Sequence, residues 1–389
     1  MRRLPSDTEI VSDGHQLVHV LESLKGHERI ALDTESDSLF HYPEKVCLVQ
    51  LMIGSRIYII DPLNVEDMTP FGNVLRDKSI QKIMHSADYD IRSFDRQWAF
   101  RIENLFDTSI AAAFIGESRL GLANVLNEIL HVTIPKNKAL QRSDWSLRPL
   151  HAEALEYAAT DVRYLFNLKD ALFEELSSLN RSSWVLEESA RLSKVRYAPP
   201  DKETAFFSLK GSRDLDERGL TVLKMLVAFR EKEALRLDKP PFHIISNAAL
   251  ISLATKPSMD LSELQGVGRY LYPPRSTRLR ETIHDAMLAP LVSKKNRPTA
   301  DRRTSRRNAE QEKRFKVMKE WRLEHSKTLV LDAGLLWPMA SLERLAKNPN
   351  AMDDEIGASD VRQWQQDTLG QSLRICVEKL IAQTASSDE

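Results

Sequence analysis

The sequence predicts an α/β domain at the N-terminal end of the chain, followed by domains built only from helices. Strand-like patterns are confined to the first third of the chain, where short apolar runs at residues 29–32, 46–53 and 56–60 predict three strands. A Gly-Ser pair separates the last two runs and is typical of a hairpin turn. A helical pattern then precedes residues 80–85, which predict a further strand.

Helical patterns dominate the remaining sequence. Apolar side chains at 3-4-3 spacing across residues 155–165 predict one long helix. Two adjacent prolines break the pattern near 197–201, which indicates a domain boundary there. From about residue 209 onward no strand pattern occurs, and residues 223–254 and 315–346 resemble each other as a weak internal repeat.

The bulk composition is that of a soluble globular protein of two or three domains. The chain has 389 residues, 42% of them hydrophobic and 29% charged, and no apolar run approaches the ~20 residues that span a bilayer. Its N-terminus lacks the apolar stretch of a signal peptide. The two cysteines, Cys47 and Cys376, offer neither a disulfide framework nor a zinc-ligand cluster, so the expected location is the reducing cytoplasm.

Net charge does not by itself indicate a nucleic-acid binder, because 55 basic and 56 acidic residues give −1. The charge is unevenly distributed, however, since residues 294–316 contain ten Lys or Arg and three acidic residues. Such a stretch is either a solvated linker or a set of phosphate contacts, and the sequence leaves both interpretations open.

The first candidate site motif follows the strand predicted at residues 29–32. Asp33 and Glu35 lie two apart, and such residues point to the same side of an extended chain. The pair is weak by itself, because acid-x-acid pairs arise by chance in a chain with 56 acidic residues. Its position beside apolar residues, where unpaired carboxylates are costly, favours a site over two solvated surface acids.

The second motif is KIMHSADYDIRSF at residues 82–94, where a strand leads into a helix. Capping of that helix by Ser86 or Asp88 is the simplest structural explanation, and we expect it for Asp88. Asp90 lies further into the helix and is free to point at a site.

The third motif places Tyr157 and Asp161 one helical turn apart on the same face. About one such tyrosine–acid pair is expected by chance, so this motif is also weak alone. The shared face adjoins the apolar stripe, so we expect Asp161 near the edge of the core, where it needs a cation or a hydrogen-bond donor.

In this order, the three motifs resemble those of the DEDD superfamily of exonucleases, in its tyrosine-bearing branch, over roughly residues 28–180. Family-like strings lie between them at 105–114, 121–130 and 141–150. The last, QRSDWSLRPL, is followed at once by EYAATDVRYL and is similar to the ribonuclease D family. The resemblance implies an α/β, ribonuclease H-like exonuclease domain with a mixed sheet flanked by helices.

The helical half resembles two all-α HRDC domains, a type named after helicases and ribonuclease D, of which the second is more degenerate. The implied organisation is an exonuclease domain at 1–200, an HRDC domain at 209–292, a basic linker at 293–312 and a second, degenerate HRDC-like domain at 313–384.

The resemblance also implies a metal-dependent 3′→5′ exoribonuclease that releases nucleoside 5′-monophosphates. Two divalent ions, Mg²⁺ or Mn²⁺, are expected, because hard carboxylate oxygens select such ions and two of them can stabilise both the attacking and the leaving oxygen. In the family pattern Asp33 bridges both ions, while Glu35 and Asp161 help to hold the ion that activates water. Asp90 supports the second ion, and Tyr157 orients the attacking water.

Substrate contacts are predicted less directly. Phe40, His41 and Tyr42 follow the first motif and are candidates to stack on a base or to touch the ribose, with a packed loop as the alternative. Thr34 and Arg148 are further candidate substrate contacts.

The string at 141–150 also has a structural interpretation. An ion pair formed by Asp144 and Arg148, together with a packed Trp145 ring, is favoured there over direct catalysis.

The implied partner is RNA with a free 3′ end, and tRNA precursors are the expected substrate. The family suggests a monomer, and neither a membrane nor a protein partner is inferred.

A DNA exonuclease of the same superfamily would use the same catalytic residues, but the string at 141–150 and the HRDC domains favour RNA. A catalytically inactive RNA-binding adaptor is disfavoured because all five motif residues are present. A helicase is excluded because the sequence has no G-x-x-x-x-G-K-S/T phosphate loop.

Overall fold

The computed structural model describes residues 5–135, 137–298 and 307–385, so the middle of the predicted basic linker lies outside the described residues. The strands in this described part are β1 (Thr8–Val11), β2 (Arg29–Ser36), β3 (Val46–Ile53), β4 (Arg56–Ile60), β5 (Gln81–Met84) and β6 (Leu105–Asp107). All of them lie within residues 8–107, which confirms the prediction that the strands precede a helical half.

The strands form one sheet in the order β1-β4-β3-β2-β5-β6. β2, β3 and β4 are antiparallel neighbours, whereas β1 runs parallel to β4, and β5 and β6 continue from β2 in parallel. The sheet is therefore mixed, as predicted, and β3 and β4 form the expected hairpin. β1 and β6 contain only four and three residues, too few for an alternating pattern to reveal them in the sequence.

The helices of this domain are α1 (Gly14–Glu22), α2 (Thr69–Arg76), α3 (Asp88–Trp98), α4 (Thr108–Ile115), α5 (Leu122–Leu130), α6 (Lys138–Gln141), α7 (Ala152–Arg163), α8 (Leu165–Ser178) and α9 (Ser182–Leu192). Helices α1, α2 and α3 share an apolar core with one face of the sheet, whereas α7 and α8 pack on the opposite face. On β3, Val49 and Leu51 belong to the first core, and Leu48 belongs to the second. This alternation follows from the two-residue period of a strand and lets a sheet be buried on both faces.

The long helix predicted across residues 155–165 is in fact two helices, so that prediction is wrong in one detail. The backbone leaves the helical conformation at Tyr164, with φ −107° and ψ 0°, and Leu165 begins α8. Val162 and Leu165 are both buried on either side of the break. The apolar spacing therefore continues across a turn that a periodicity argument cannot see.

The rest of the chain is helical and forms two units. The first contains α10 (Glu217–Leu237), α11 (Pro241–Ile244), α12 (Asn247–Thr255) and α13 (Arg275–Leu288); the second contains α14 (Ala309–Leu329), α15 (Met339–Lys347), α16 (Met352–Ile356) and α17 (Gln363–Ala385). None of the described helices is both long and apolar enough to cross a membrane.

The two helical units contact the α/β domain differently. The second unit shares a continuous apolar core with it, and Trp364 of α17 stacks on Trp184 of α9 with ring centroids 4.5 Å apart. Arg181 donates hydrogen bonds to the carbonyl oxygens of Phe114 and Leu329, which joins α4 to the end of α14. The first unit has its own core and meets the loop after β2 mainly through polar contacts.

Candidate active site

One cavity of about 460 Å³ is lined by all five residues of the three sequence motifs. They come from three separate elements: the end of β2, the start of α3 and the middle of α7. The five residues are Asp33, Glu35, Asp90, Tyr157 and Asp161. The fold therefore brings together side chains that lie up to 128 positions apart in the sequence.

Asp33 and Glu35 occupy the same face of β2, the face covered by α7. In the antiparallel register Asp33 lies opposite Gln50 of β3, and Glu35 lies opposite Leu48. The strand is buried up to Leu32 and opens towards the cavity at its end, so two carboxylates project from an apolar strand. The two-residue spacing predicted this arrangement correctly.

Asp90 lies in the first turn of α3 with 6% of its surface exposed. Thr34, between the two acids of β2, donates its hydroxyl hydrogen to Asp90 Oδ1 and so links the strand to the helix. The helix N-terminus also carries a partial positive charge that favours a carboxylate there.

The expected capping of α3 by Ser86 or Asp88 is wrong. The N-cap is Ala87, which makes no side-chain cap, and Asp88 instead forms an exposed ion pair with Arg92, with Oδ2 2.8 Å from Nε. The turn before α3 is held from elsewhere by Asp107, whose carboxylate accepts the backbone N–H groups of Ser86 and Ala87 at 3.1 and 2.8 Å.

Asp107 is a supporting residue that lies outside the three sequence motifs. It is completely buried at the end of β6 and also caps α4, since Oδ1 accepts the backbone N–H of Ser109 at 2.8 Å. One carboxylate thus fixes the starts of α3 and α4 together. The sequence signal was the string Leu-Phe-Asp-Thr-Ser, which is typical of a strand followed by an N-capped helix.

Tyr157 and Asp161 project from α7 into the cavity one turn apart, as predicted. The Tyr157 ring packs near Trp145, with centroids 6.2 Å apart. Burial, reinforced by Asp161 and the other nearby carboxylates, raises the pKa of the Tyr157 hydroxyl well above its usual value. That hydroxyl therefore stays protonated at neutral pH.

The four carboxylates are electrostatically unfavourable to one another. Burial raises the pKa of Asp33 well above its usual value, and repulsion by Asp90, Asp161 and Glu35 raises it further. Glu35 responds in the same way, first to burial and then to Asp161 and Asp90. Burial also raises the pKa values of Asp90 and Asp161, each to about 7. A cation would relieve this repulsion.

The donor set fits a hard divalent ion. Within the described residues, no three acidic, histidine or cysteine side chains are gathered closely enough to form an ion cage on their own. This is compatible with Mg²⁺, which keeps several waters and usually binds through one or two carboxylates together with substrate phosphate. Softer metals are disfavoured because the cavity lining contains no cysteine and its one histidine, His85, bonds to Thr108 and the Leu120 carbonyl.

Of the predicted substrate contacts, only Thr34 lines the cavity. Phe40, His41 and Tyr42 lie outside it and face the first helical unit. His41 Nδ1 is 2.6 Å from Asp238 Oδ2, and the Tyr42 backbone N–H donates to Asp238 Oδ1 at 3.0 Å. These contacts agree with the alternative interpretation, a packed loop. A role of the three residues in RNA binding stays a prediction.

Arg148 also lies outside the cavity lining, in an ion pair with Asp61 whose Nε–Oδ2 distance is 2.6 Å. The expected pair with Asp144 is therefore wrong in its partner, because Asp144 instead accepts the backbone N–H of Ser146. The packed ring is confirmed, since Trp145 is 1% exposed. A substrate contact by Arg148 stays a prediction.

The class of protein follows from the fold and from the comparison with known families. A family model described as 3′–5′ exonuclease matches residues 8–177, and an HRDC domain model matches residues 219–271. The protein is a 3′→5′ exonuclease with an appended HRDC domain and a helical C-terminal unit.

More specifically, the chain belongs to the ribonuclease D family of exoribonucleases. The ribonuclease D of Xanthomonas oryzae pv. oryzae is 33% identical over 319 residues, which cover 82% of this chain and 86% of that protein. The ribonuclease D of a Shewanella species is also 33% identical, over 66% of each chain.

A solved structure agrees with this assignment. The crystal structure of Escherichia coli RNase D, described as an exoribonuclease involved in structured RNA processing, has a TM-score of 0.68 and 25% identity. The structural match covers 96% of this chain and 99% of the Escherichia coli chain.

Proposed function

We propose that this chain removes nucleotides one at a time from RNA 3′ ends in the cavity described above, releasing nucleoside 5′-monophosphates. The observation that carries the proposal is the convergence of four carboxylates and a tyrosine from β2, α3 and α7 on one cavity. Precursors of tRNA and other small structured RNAs are the proposed substrates. The similarity to a relative described as acting in structured RNA processing supports this choice.

Two divalent ions, Mg²⁺ or Mn²⁺, are the proposed cofactors, held by Asp33, Glu35, Asp90 and Asp161. When bound, such ions help to activate the attacking water and stabilise the leaving oxygen. Asp33 is proposed to contribute to both ions, because repulsion by Asp90, Asp161 and Glu35 raises its pKa, which indicates that its carboxylate lies near all three of the others. The hydroxyl of Thr34 on β2 donates to the Asp90 carboxylate and so holds Asp90 next to the strand that carries Asp33.

Tyr157 is proposed to orient the attacking water. Its raised pKa makes it a poor base at neutral pH, so its hydroxyl acts as a hydrogen-bonding group and does not remove a proton from water. The ring is fixed by its position on α7 and by the neighbouring Trp145 ring.

We further propose the domain boundaries 1–200, 209–292 and 313–384, with a second HRDC-like domain at the C-terminal end. The helix lengths support an internal repeat: α10 and α14 have 21 residues each, and α12 and α15 have nine each. Both long helices end at a residue with a left-handed backbone, Asp238 and Val330. The basic stretch of 294–316, part of which lies outside the described residues, is the proposed phosphate contact.

The experiment that tests this function compares single-stranded 3′ overhangs of the same sequence in RNA and DNA, and a 3′-extended tRNA, with and without Mg²⁺. The proposal expects Mg²⁺-dependent shortening from the 3′ end, faster for RNA than for DNA. Equal or faster degradation of DNA would favour the DNA exonuclease. Tight tRNA binding without any shortening would favour the inactive adaptor. The proposed monomeric state can be measured on the same sample by light scattering.

A further inference from the structure

Gln50 is a buried polar residue for which the fold gives no structural role. It lies on β3 and is completely buried, yet neither the nitrogen nor the oxygen of its amide has a hydrogen-bond partner among the described residues. Buried polar side chains are nearly always paired, and an unpaired amide in a core destabilises the folded state. An apolar side chain of the same size would be the more stable choice here.

The position of Gln50 relates it to one acidic residue in particular. In the antiparallel register of β2 and β3, Gln50 lies directly opposite Asp33. Residues in such pairs project from the same face of the sheet, with Cβ atoms roughly 4.5–5.5 Å apart. The amide of a glutamine at this distance can reach the carboxylate of a facing aspartate.

On its other side, Gln50 lies opposite the apolar Ile59 of β4. Glu35 is only diagonal to Gln50, because the residue directly opposite Glu35 is Leu48, and diagonal side chains lie roughly 7–8 Å apart. Asp33 is thus the acidic residue directly opposite this amide. The face is covered by α7, the helix that carries Tyr157 and Asp161.

We propose that Gln50 is a positioning residue for Asp33, whose amide N–H donates a hydrogen bond to the Asp33 carboxylate when that carboxylate binds a divalent ion. Carboxylates that bind metals are generally themselves hydrogen-bonded, which fixes their orientation. Such a bond pairs the buried amide and holds one carboxylate oxygen while the other faces the ion. The inference rests on the proposed function, since it assigns a partner to the carboxylate at the centre of that site.

The test uses the full-length protein and the variant Gln50→Met, because methionine matches glutamine in length and flexibility but lacks the amide. Gln50→Leu is a second variant with the same loss. Leu48→Met is the matched control, since Leu48 lies on the same face of β3, opposite Glu35. Two quantities are measured for each protein: the rise in Tm caused by MnCl₂ or MgCl₂ without RNA, and the single-turnover cleavage rate across a Mg²⁺ series.

We expect Gln50→Met to raise the Tm of the metal-free protein by about 2–4 °C, because an unpaired amide is removed. The rise in Tm on adding MnCl₂ should be smaller than in the unmodified protein. The Mg²⁺ concentration for half-maximal rate should increase about 10–100-fold, with part of the rate recovered at high Mg²⁺. Leu48→Met should change neither metal response.

An unchanged metal response in Gln50→Met and Gln50→Leu, with a higher Tm, would overturn the inference and leave Gln50 as an unpaired core residue. Failure of both variants to fold would overturn it as well, because the amide would then support the fold itself. If the unmodified protein shows neither a metal-induced rise in Tm nor cleavage, the proposed function fails, and that outcome is separate from the behaviour of the Gln50 variants.

Discussion

Thr34 donates its hydroxyl hydrogen to the Asp90 carboxylate, so the strand of the first motif is joined directly to the helix of the second. Asp90 is almost completely buried, and burial raises its pKa to about 7, while this hydrogen bond acts in the opposite direction. Thr34 therefore favours the ionised form of Asp90 and fixes the position of that carboxylate relative to β2.

The first prediction concerns this hydrogen bond. Thr34→Val keeps the shape of the side chain but removes the donor, so we expect the single-turnover rate to fall about 10–100-fold, as for other groups that orient metal-binding carboxylates. Thr34→Ser retains the hydroxyl and is the matched control, with a rate close to that of the unmodified protein. Equal rates in the Val and Ser variants would show that the hydroxyl does not matter for cleavage.

The second prediction concerns stability without metal. Asp90 and Asp161 have pKa values of about 7 in the folded protein, above the ~4 expected for an unfolded chain. The folded protein therefore binds more protons than the unfolded chain between these pH values. The contribution of these two groups to the free energy of unfolding is therefore fully present below about pH 4. That contribution decreases as the pH rises and is lost as the pH passes through 7.

The measurement is Tm in EDTA from pH 5 to pH 8. Tm should fall with pH in the unmodified protein, and the fall should be smaller in Asp161→Asn, which cannot ionise at that position. Glu22→Gln, which alters an exposed carboxylate at the end of α1, should keep the original slope. A slope in Asp161→Asn as steep as in the unmodified protein would contradict the prediction.

The third prediction concerns the ion requirement. Chelation by EDTA should stop cleavage, and Mg²⁺ or Mn²⁺ should restore it, because the cavity offers carboxylate oxygens from four residues. Ca²⁺ should not restore it, since that ion takes more ligands at longer distances and in a looser geometry. Release of 5′-mononucleotides is the measured quantity. Undiminished release after exhaustive chelation would rule out a metal-dependent reaction.

The fourth prediction concerns Tyr157. Tyr157→Phe removes the hydroxyl and keeps the ring that packs near Trp145, so the fold should be unaffected. If the hydroxyl orients the attacking water, its loss should slow the single-turnover rate by ~10²–10⁴-fold while RNA affinity changes little. A comparison of that rate with the Kd for the same RNA separates chemistry from binding. A full rate in the Phe variant would leave Tyr157 with a packing role only.

Three motifs, each weak by itself, identified the residues of the cavity through their combined resemblance to a known family, but they did not identify the supporting residues. That Asp33 and Glu35 share one face of a strand, and that Tyr157 and Asp161 share one face of a helix, follows from the fixed side-chain periods of these elements. Asp107 could not be recognised as the residue that holds the turn before α3, because its bonds to Ser86 and Ala87 join chain segments about 20 positions apart. Such contacts depend on how the strands and helices pack against one another in the folded protein, which local sequence patterns do not specify.

The same limit applies to contacts between domains and strands. The loop containing His41 follows the first motif, and the sequence could not predict that His41 and the Tyr42 backbone also bond to Asp238, directly after α10. The pairing of Gln50 with Asp33 depends on the register of β2 and β3, which no single strand pattern specifies.

The fifth prediction tests the central claim, that the carboxylates of the cavity carry out the cleavage. The measurement is the time course of digestion of a 3′-extended tRNA with Mg²⁺, by the unmodified protein and by Asp33→Asn, with Asp88→Asn as control and circular dichroism to match the folded fractions. The unmodified protein and the control should shorten the RNA from its 3′ end at similar rates, whereas Asp33→Asn should bind the RNA and leave its length unchanged. Shortening by Asp33→Asn at the rate of the unmodified protein would remove Asp33, and with it this cavity, from the reaction.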